Sequence, residues 1–224
     1  MPRYARIVIP GYLYHITQRG NYKQNIFEED QDCVIYLKLV QEYSKKYGVE
    51  IYAYCLMDNH VHFIAKPRHE ESLARTFCVA HQRYSHYFHK KRGIRGHLWQ
   101  ERFYSCILHG SHLKQAVRYV ENNPVRANLA AHPWGYHWSS AKAHLGLAYK
   151  IIELSDIREY INCSSWKEYL LEEEKDEELK QIRKMTLKNS VLGPVEFIEK
   201  VEELLKRRIL SNPRGRPRKI SPCH

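Results

Sequence analysis

The chain has 224 residues, enough to bury a core, and its length alone predicts one domain with an extension. A composition of 43% hydrophobic and 27% charged residues predicts a folded, soluble protein. The formal net charge of +11 favours a polyanionic partner, either nucleic acid or an acidic membrane surface, and no stretch reaches the roughly 18 apolar residues that a membrane span needs.

The first residues, Met1-Pro2-Arg3-Tyr4-Ala5-Arg6, lead into no apolar run, so no secretory signal is expected. Tyr12 to Arg19 alternates and reads as a strand that Gly20-Asn21 ends. From Glu28 to Tyr47 the residues Val34, Leu37, Val40 and Tyr43 fall at helical spacing, and Gly48 stops that helix. Val49 to Met57 is a second strand, Asp58-Asn59 a tight turn, and His60 to Lys66 the returning strand. Glu71 to Lys91 is helical with Leu73, Phe77, Ala80 and Tyr84 on one side, and Phe103 to Leu108 is a fourth strand. Ser111 is placed to cap a helix that runs to about Asn122, where Pro124 forces a stop or a new turn.

The order β-α-β-β-α-β plus a helix predicts an α+β fold: a ferredoxin-like antiparallel sheet with helices packed on one face. Composition shifts near residue 150. Glu153 to Lys180 is acid-rich, with Glu172-Glu173-Glu174 and Asp176-Glu177-Glu178, and reads as a solvated helical segment. Pro194 to about Leu210 reads as a helix with Phe197, Val201, Leu204 and Leu205 as its stripe. Asn212 to Lys219 has no hydrophobes and is expected to be disordered when free. The expected organisation is a domain over 1–148, a helical C-terminal extension over 149–210 and a basic tail over 211–224. The six cysteines form no CxxC pair and read as reduced, mostly buried thiols of a cytoplasmic protein.

Two short patterns carry chemistry. In His60-Val61-His62, strand periodicity points both imidazoles to one face, where two neutral rings can hold a divalent metal; such a pair also occurs incidentally on strands. In Arg118-Tyr119-Val120-Glu121-Asn122-Asn123-Pro124, Tyr119 and Asn123 lie one helical turn apart. There a phenol can serve as nucleophile beside an amide ligand, or the tyrosine can simply pack at the end of an amphipathic helix. The 17 tyrosines, interleaved with Lys and Arg, suit stacking on unpaired bases and equally suit half-buried strands.

Taken together, these residues resemble a known family. His60-Val61-His62 is similar to the HUH motif, in which U is a hydrophobe. Tyr119 to Leu129 (YVENNPVRANL) resembles the nucleophile helix of single-tyrosine HUH transposases. Gly96 to Tyr104 (GHLWQERFY), His137-Trp138-Ser139-Ser140, Gly193 to Glu203 and the Gly-Arg-Pro tail resemble one branch, the REP-associated tyrosine transposases. The resemblance runs from about Gly11 to Lys219.

The resemblance implies metal-dependent nicking and rejoining of single-stranded DNA at palindromic or hairpin sequences, for DNA transposition or processing of REP-like elements. Tyr119 would attack phosphorus and form a 5′-phosphotyrosine. Mg²⁺ or Mn²⁺ would be held by His60, His62 and Asn123, with Asn122 a rival amide. Rings that must be neutral to bind imply that activity falls near or below pH ~6.5. A tyrosine also needs help losing its proton at neutral pH, and the sequence names no base. Expected partners are single-stranded or hairpin DNA and no membrane, with the protein a monomer or homodimer. Candidate DNA contacts are Arg83, Lys90, Lys91, Arg92, Arg95 and Arg102 for the backbone, with Trp99 and Tyr104 for stacking. Trp99 as core and Lys90-Lys91-Arg92 as a solvated helix end are the plain alternatives. Arg214 and Arg216, in Arg214-Gly215-Arg216-Pro217, resemble an AT-hook or simply attract phosphate. The competing functional class is a catalytically inactive hairpin-binding regulator, against which the intact histidine pair and Tyr119 argue.

Overall fold

The computed structural model describes residues 6–147 and 151–209. Strand alternation organises it. In β1 (Leu13–Arg19), Leu13, His15 and Thr17 point to one side of the sheet, and Tyr14 and Ile16 to the other. β2 (Val49–Met57) and β3 (His60–Pro67) form the hairpin around Asp58-Asn59, and β4 (Tyr104–Leu108) follows later in the chain. The sheet order is β2-β3-β1-β4-β5, and the pairs β2-β3, β3-β1 and β1-β4 are antiparallel. The fifth strand, β5 (Val191–Leu192), joins β4 in parallel, so the expected antiparallel sheet is a mixed one. Two residues carry no readable alternation, which hid this strand in the sequence.

One face is covered by α1 (Asp30–Tyr47) and α2 (Ser72–Arg92). α1 begins at Asp30 rather than Glu28 because Glu29 is its N-cap. The Asp32 carboxylate accepts the backbone N–H groups of Glu28 and Glu29 at 2.9 and 3.2 Å, closing a capping box. Gly48 (φ 68°) and Gly93 (φ 63°) end the two helices in the left-handed conformation that favours glycine. Tyr36, Leu37, Val40, Phe77, Ala80 and Tyr84 pack with Ile16, Val61 and Phe63 into the main core.

That core holds a buried imidazole. His81 meets the Tyr36 hydroxyl at 2.9 Å and stacks near Trp99, with centroids 4.5 Å apart. Burial, reinforced by Arg6, pushes His81 down to about 3. A ring whose folded pKa lies below its unfolded value of about 6.5 takes up a proton more readily in the unfolded chain. Its contribution is therefore complete above pH ~6.5 and is lost as pH falls towards the folded value. Between pH 7 and pH 5 the wild type is expected to lose about 2 kcal/mol more stability than His81→Gln. Denaturant unfolding at the two pH values measures this, and equal losses in the two proteins would exclude a neutral buried ring.

The second face is covered too, contrary to the expectation of helices on one side. α3 (Gly110–Glu121) lays Leu113, Ala116, Val117 and Val120 on it. It is flanked by α6 (Trp166–Leu171) and α7 (Asp176–Leu187). The acid-rich stretch is thus not a solvated segment. Trp166, Tyr169, Leu170, Leu179 and Ile182 are buried in this second core. Its acids face the basic side of α3 and of the short α4 (Asn123–Arg126) instead. Glu172 pairs with Lys114 at 2.8 Å and with Arg118, and Glu174 pairs with Arg126 at 2.7 Å. Between these, α5 (Ala141–His144) is a single turn, and α8 (Val195–Leu205) closes the described chain. On α8, Phe197, Ile198 and Val201 are buried, while Leu204 is exposed. Among the described residues no helix is long and apolar enough to cross a membrane. Cys33, Cys55 and Cys106 are buried free thiols, Cys163 is partly buried, Cys78 is exposed, and Cys223 lies outside the described residues.

Candidate active site

The second face of the sheet places the chemistry. Thr17 of β1 stands opposite His62 of β3 and Tyr104 of β4, and Arg19 stands opposite His60. Opposed residues share a face. His15, Thr17, Arg19, His60, His62 and Tyr104 therefore lie on one surface, and α3 crosses it.

His60 opens β3 directly after the turn. Its Nδ1 lies 2.6 Å from the Asn59 side-chain oxygen, and the Asn59 amide nitrogen donates to the Lys23 carbonyl at 3.2 Å. That second bond fixes which end of the amide faces His60. The proton of the His60 ring therefore sits on Nδ1, and Nε2 keeps its lone pair. His62, two residues on, is 4% exposed and turns edge-on to His60, with ring centroids 5.0 Å apart at 83°. Its Nδ1 meets His15 Nε2 at 2.9 Å, and its Nε2 is buried with no hydrogen-bond partner. Burial, aided by Arg19, pushes His60 down to about 4. Burial, then His60, His15 and the two arginines Arg126 and Arg19, hold His62 well below the usual imidazole value. Both rings are neutral at pH 7 and remain so below the pH ~6.5 expected from an unperturbed histidine.

Tyr119 comes down from α3 onto this pair. Its ring meets His62 and His15 edge-to-face, each at 5.5 Å and at 89° and 85°. The Arg126 guanidinium covers the ring at 4.4 Å, donates to the Tyr119 carbonyl and is held by Glu174. Arg183 of α7 directs Nε to the phenol oxygen at 3.4 Å and makes no ion pair among the described residues.

Three contacts set the pose of the helix. His109, not Ser111, is the N-cap, its Nδ1 accepting the Ser111 backbone N–H at 3.2 Å; His109 has the extended backbone of a cap, whereas Ser111 is already in the helix. Glu121, fully buried, accepts from Ser140 at 2.5 Å and from the Trp166 indole at 2.9 Å, and contacts His144 Nδ1 at 2.6 Å. The His137-Trp138-Ser139-Ser140 stretch thus anchors the helix carrying Tyr119. At its end, Asn122 stays right-handed (φ −85°, ψ 0°), so Asn123 follows Tyr119 by about one turn. The Asn122 amide donates to the Leu170 carbonyl at 3.0 Å, whereas the buried Asn123 amide nitrogen has no partner.

The other residues singled out in the sequence are more scattered. Tyr104 is on the histidine face, its hydroxyl donating to Glu101 at 3.1 Å. Arg83, Lys90, Arg95 and Arg102 are exposed on α2 and the segment after it. Lys91 is engaged by Asp32 at 2.8 Å and Glu29 at 2.7 Å, and Arg92 by Glu28 at 3.1 Å. Trp99 packs on His81 and donates to its carbonyl at 3.1 Å. Arg214 and Arg216 lie outside the described residues. His15, Arg126, Arg183 and Glu121 were not singled out from the sequence. Their signal is the strand register and the packing of α7, neither of which is local.

Among the described residues no cluster of three or more His, Cys, Asp or Glu side chains could hold a metal. Two neutral imidazoles with free Nε2 atoms nevertheless suit a divalent ion, provided the third ligand is of another type. The Asn123 amide has that chemistry.

The sequence model of the family described as "Transposase IS200 like" matches residues 9–123. In fold, the chain is similar to a REP-associated tyrosine transposase solved with a REP hairpin bound. The TM-score is 0.53 at 20% identity, over 73% of this chain and 96% of that one. A looser likeness, TM-score 0.38 at 18% identity over 54% of this chain and 97% of the other, links it to a candidate transposase from Deinococcus radiodurans R1. No curated protein matches the sequence.

Proposed function

The chain belongs to the IS200-like transposase family, and on that premise we propose that it nicks and rejoins single-stranded DNA at hairpins through a covalent link to Tyr119. The observation that carries this reading is the edge of the Tyr119 ring against His62, whose Nε2 is buried and unpartnered. An ordinary packed tyrosine gives no reason for a bare imidazole nitrogen beside it.

His60 Nε2, His62 Nε2 and the Asn123 amide oxygen would hold Mg²⁺ or Mn²⁺, with Asn122 the rival amide: its nitrogen is tied to the Leu170 carbonyl and its oxygen is buried without a partner. The bound ion would supply Lewis-acid polarisation of the scissile phosphoryl oxygen. The Tyr119 oxygen forms a bond to phosphorus while the P–O3′ bond breaks, and the freed 3′-oxygen leaves as a hydroxyl. A 3′-hydroxyl can reverse the step, breaking the P–O bond to Tyr119 and returning the proton to the phenol. No ATP is needed, because the bond energy is conserved in the phosphotyrosine. Arg183 is placed to favour negative charge on the phenol oxygen and to meet the phosphate. The net charge of +11 and the hairpin carried by the fold relative support hairpin DNA as the substrate, in keeping with the REP-associated branch. Since Tyr119 meets the histidines of its own chain, the reading is attack in cis.

The test is incubation with Mn²⁺ and a 3′-end-labelled hairpin oligonucleotide, followed by a denaturing gel. Label migrating with the protein is the expected result, and hairpin binding without any adduct would reduce the chain to a hairpin-binding protein. Arg183→Gln is expected to slow single-turnover cleavage about 10²-fold while leaving hairpin affinity within about threefold. An unchanged cleavage rate would remove Arg183 from the chemistry.

A further inference from the structure

His15 is fully buried on β1, and both of its ring nitrogens are engaged. Nδ1 lies 2.8 Å from the Thr186 hydroxyl of α7, and Nε2 lies 2.9 Å from His62 Nδ1. The rings of His15 and His62 are nearly parallel, 8° apart with centroids at 5.1 Å. The Thr186 hydroxyl has a single proton and donates it to the Ile182 carbonyl at 2.8 Å. Towards His15 it can then only accept, which puts the His15 proton on Nδ1. A neutral imidazole has one N–H, so His15 Nε2 accepts, and His62 Nδ1 must be the donor. By the same count His62 Nε2 is a bare lone pair, and it is the atom left buried without a partner. Reversing the chain of protons would bury an N–H of His62 with no acceptor, which is the costlier arrangement.

We propose that Thr186 and His15 form a positioning relay that locks His62 in its Nδ1–H tautomer and presents the Nε2 lone pair to the metal. The inference rests on the metal reading given above and deepens it. His60 is fixed in the same tautomer by a different device, the oriented amide of Asn59. The two ligands thus converge on one donor type from separate supports. Partners of this kind set the orientation and basicity of a liganding imidazole, and their loss typically costs 10–100-fold in metal affinity. Neither His15 nor Thr186 touches the reacting atoms; both act through His62.

Long-range ¹H–¹⁵N spectra of the metal-free, histidine-labelled full chain read the tautomers directly. Nδ1–H on both His15 and His62 is expected, and Nε2–H on His62 would overturn the relay. Mn²⁺ titration of the same protein then tests its purpose. His15→Leu is expected to weaken Mn²⁺ binding about 10–100-fold. His15→Gln is expected to stay within about threefold of wild type, since its amide can accept from His62 and donate to Thr186. Unchanged affinity in a folded His15→Leu would overturn the role. Should that variant fail to fold, Thr186→Val, nearly the same shape but lacking the acceptor, carries the same test, and equal affinity there has the same force. A wild type that shows the assigned tautomers and yet takes up no Mn²⁺ refutes the metal reading, and the relay's purpose with it. Wild-type Mn²⁺ binding with Nε2–H on His62 refutes the relay alone.

Discussion

Replacing Tyr119 with Phe abolishes the covalent protein–DNA adduct and lowers cleavage by at least about 10³-fold, on the scale of losing a nucleophile outright. The substitution is conservative in every other respect. The ring keeps its edge contacts with His62 and His15 and its place beneath Arg126. Only the contact from Arg183 to the phenol oxygen is lost, and at 3.4 Å on an exposed side chain it adds little to stability. The melting temperature is therefore expected to stay within about 2 °C of wild type, with hairpin affinity unchanged. The informative measurement is the denaturing gel with the folded, binding-competent variant. An adduct that survives Tyr119→Phe sinks the nucleophile assignment and with it the functional reading.

Removing either histidine is the second large effect, and the two are not equivalent. His60→Ala and His62→Ala are each expected to reduce cleavage about 10³-fold or more through loss of a metal ligand. At His62 the result is confounded. The ring is buried, so alanine leaves a cavity and strands His15 Nε2, costing about 2–4 kcal/mol of stability. His60 is only half-buried, and its ring bonds to the neighbouring Asn59. His60→Ala should remain folded and bind hairpin while failing to bind Mn²⁺. Cleavage retained in that variant would take the histidine pair out of the chemistry.

Much of the frame was legible in the sequence because it is local. The strand Val49–Met57 and the turn at Asp58-Asn59 are written in alternation and turn residues. The end of α1 is written in Gly48. The shared face of His60 and His62 follows from a period of two. What stayed hidden depends on pairing between distant segments. His15 joins the site only once β1 is known to lie between β3 and β4 in a particular register. α6 and α7 are joined by a run of acids, and local composition reads the whole stretch as solvated. The facing lysine and arginines of α3 and α4 account for Glu172 and Glu174, and Asp176, Glu177 and Glu178 lie in the first turn of α7, where acids suit a helix start. Likewise, the bond from the Asn122 amide nitrogen to the Leu170 carbonyl, nearly fifty residues away, has no local signal.

The placement of α7 has a consequence for how the protein is made. Arg183 and Thr186 are synthesised roughly sixty residues after Tyr119, and β5 later still. At roughly 5–20 residues per second, a ribosome needs several seconds to cover that distance. Throughout that interval, the first four strands can pair and α3 can dock, while the floor beneath His15 and the edge of β4 stay open. The nascent chain thus holds Tyr119, the proposed nucleophile, and the two histidines before their support exists. Late segments that must pair with early ones raise contact order, and folding of the finished chain should be slow for its size, limited by arrival of the last strand.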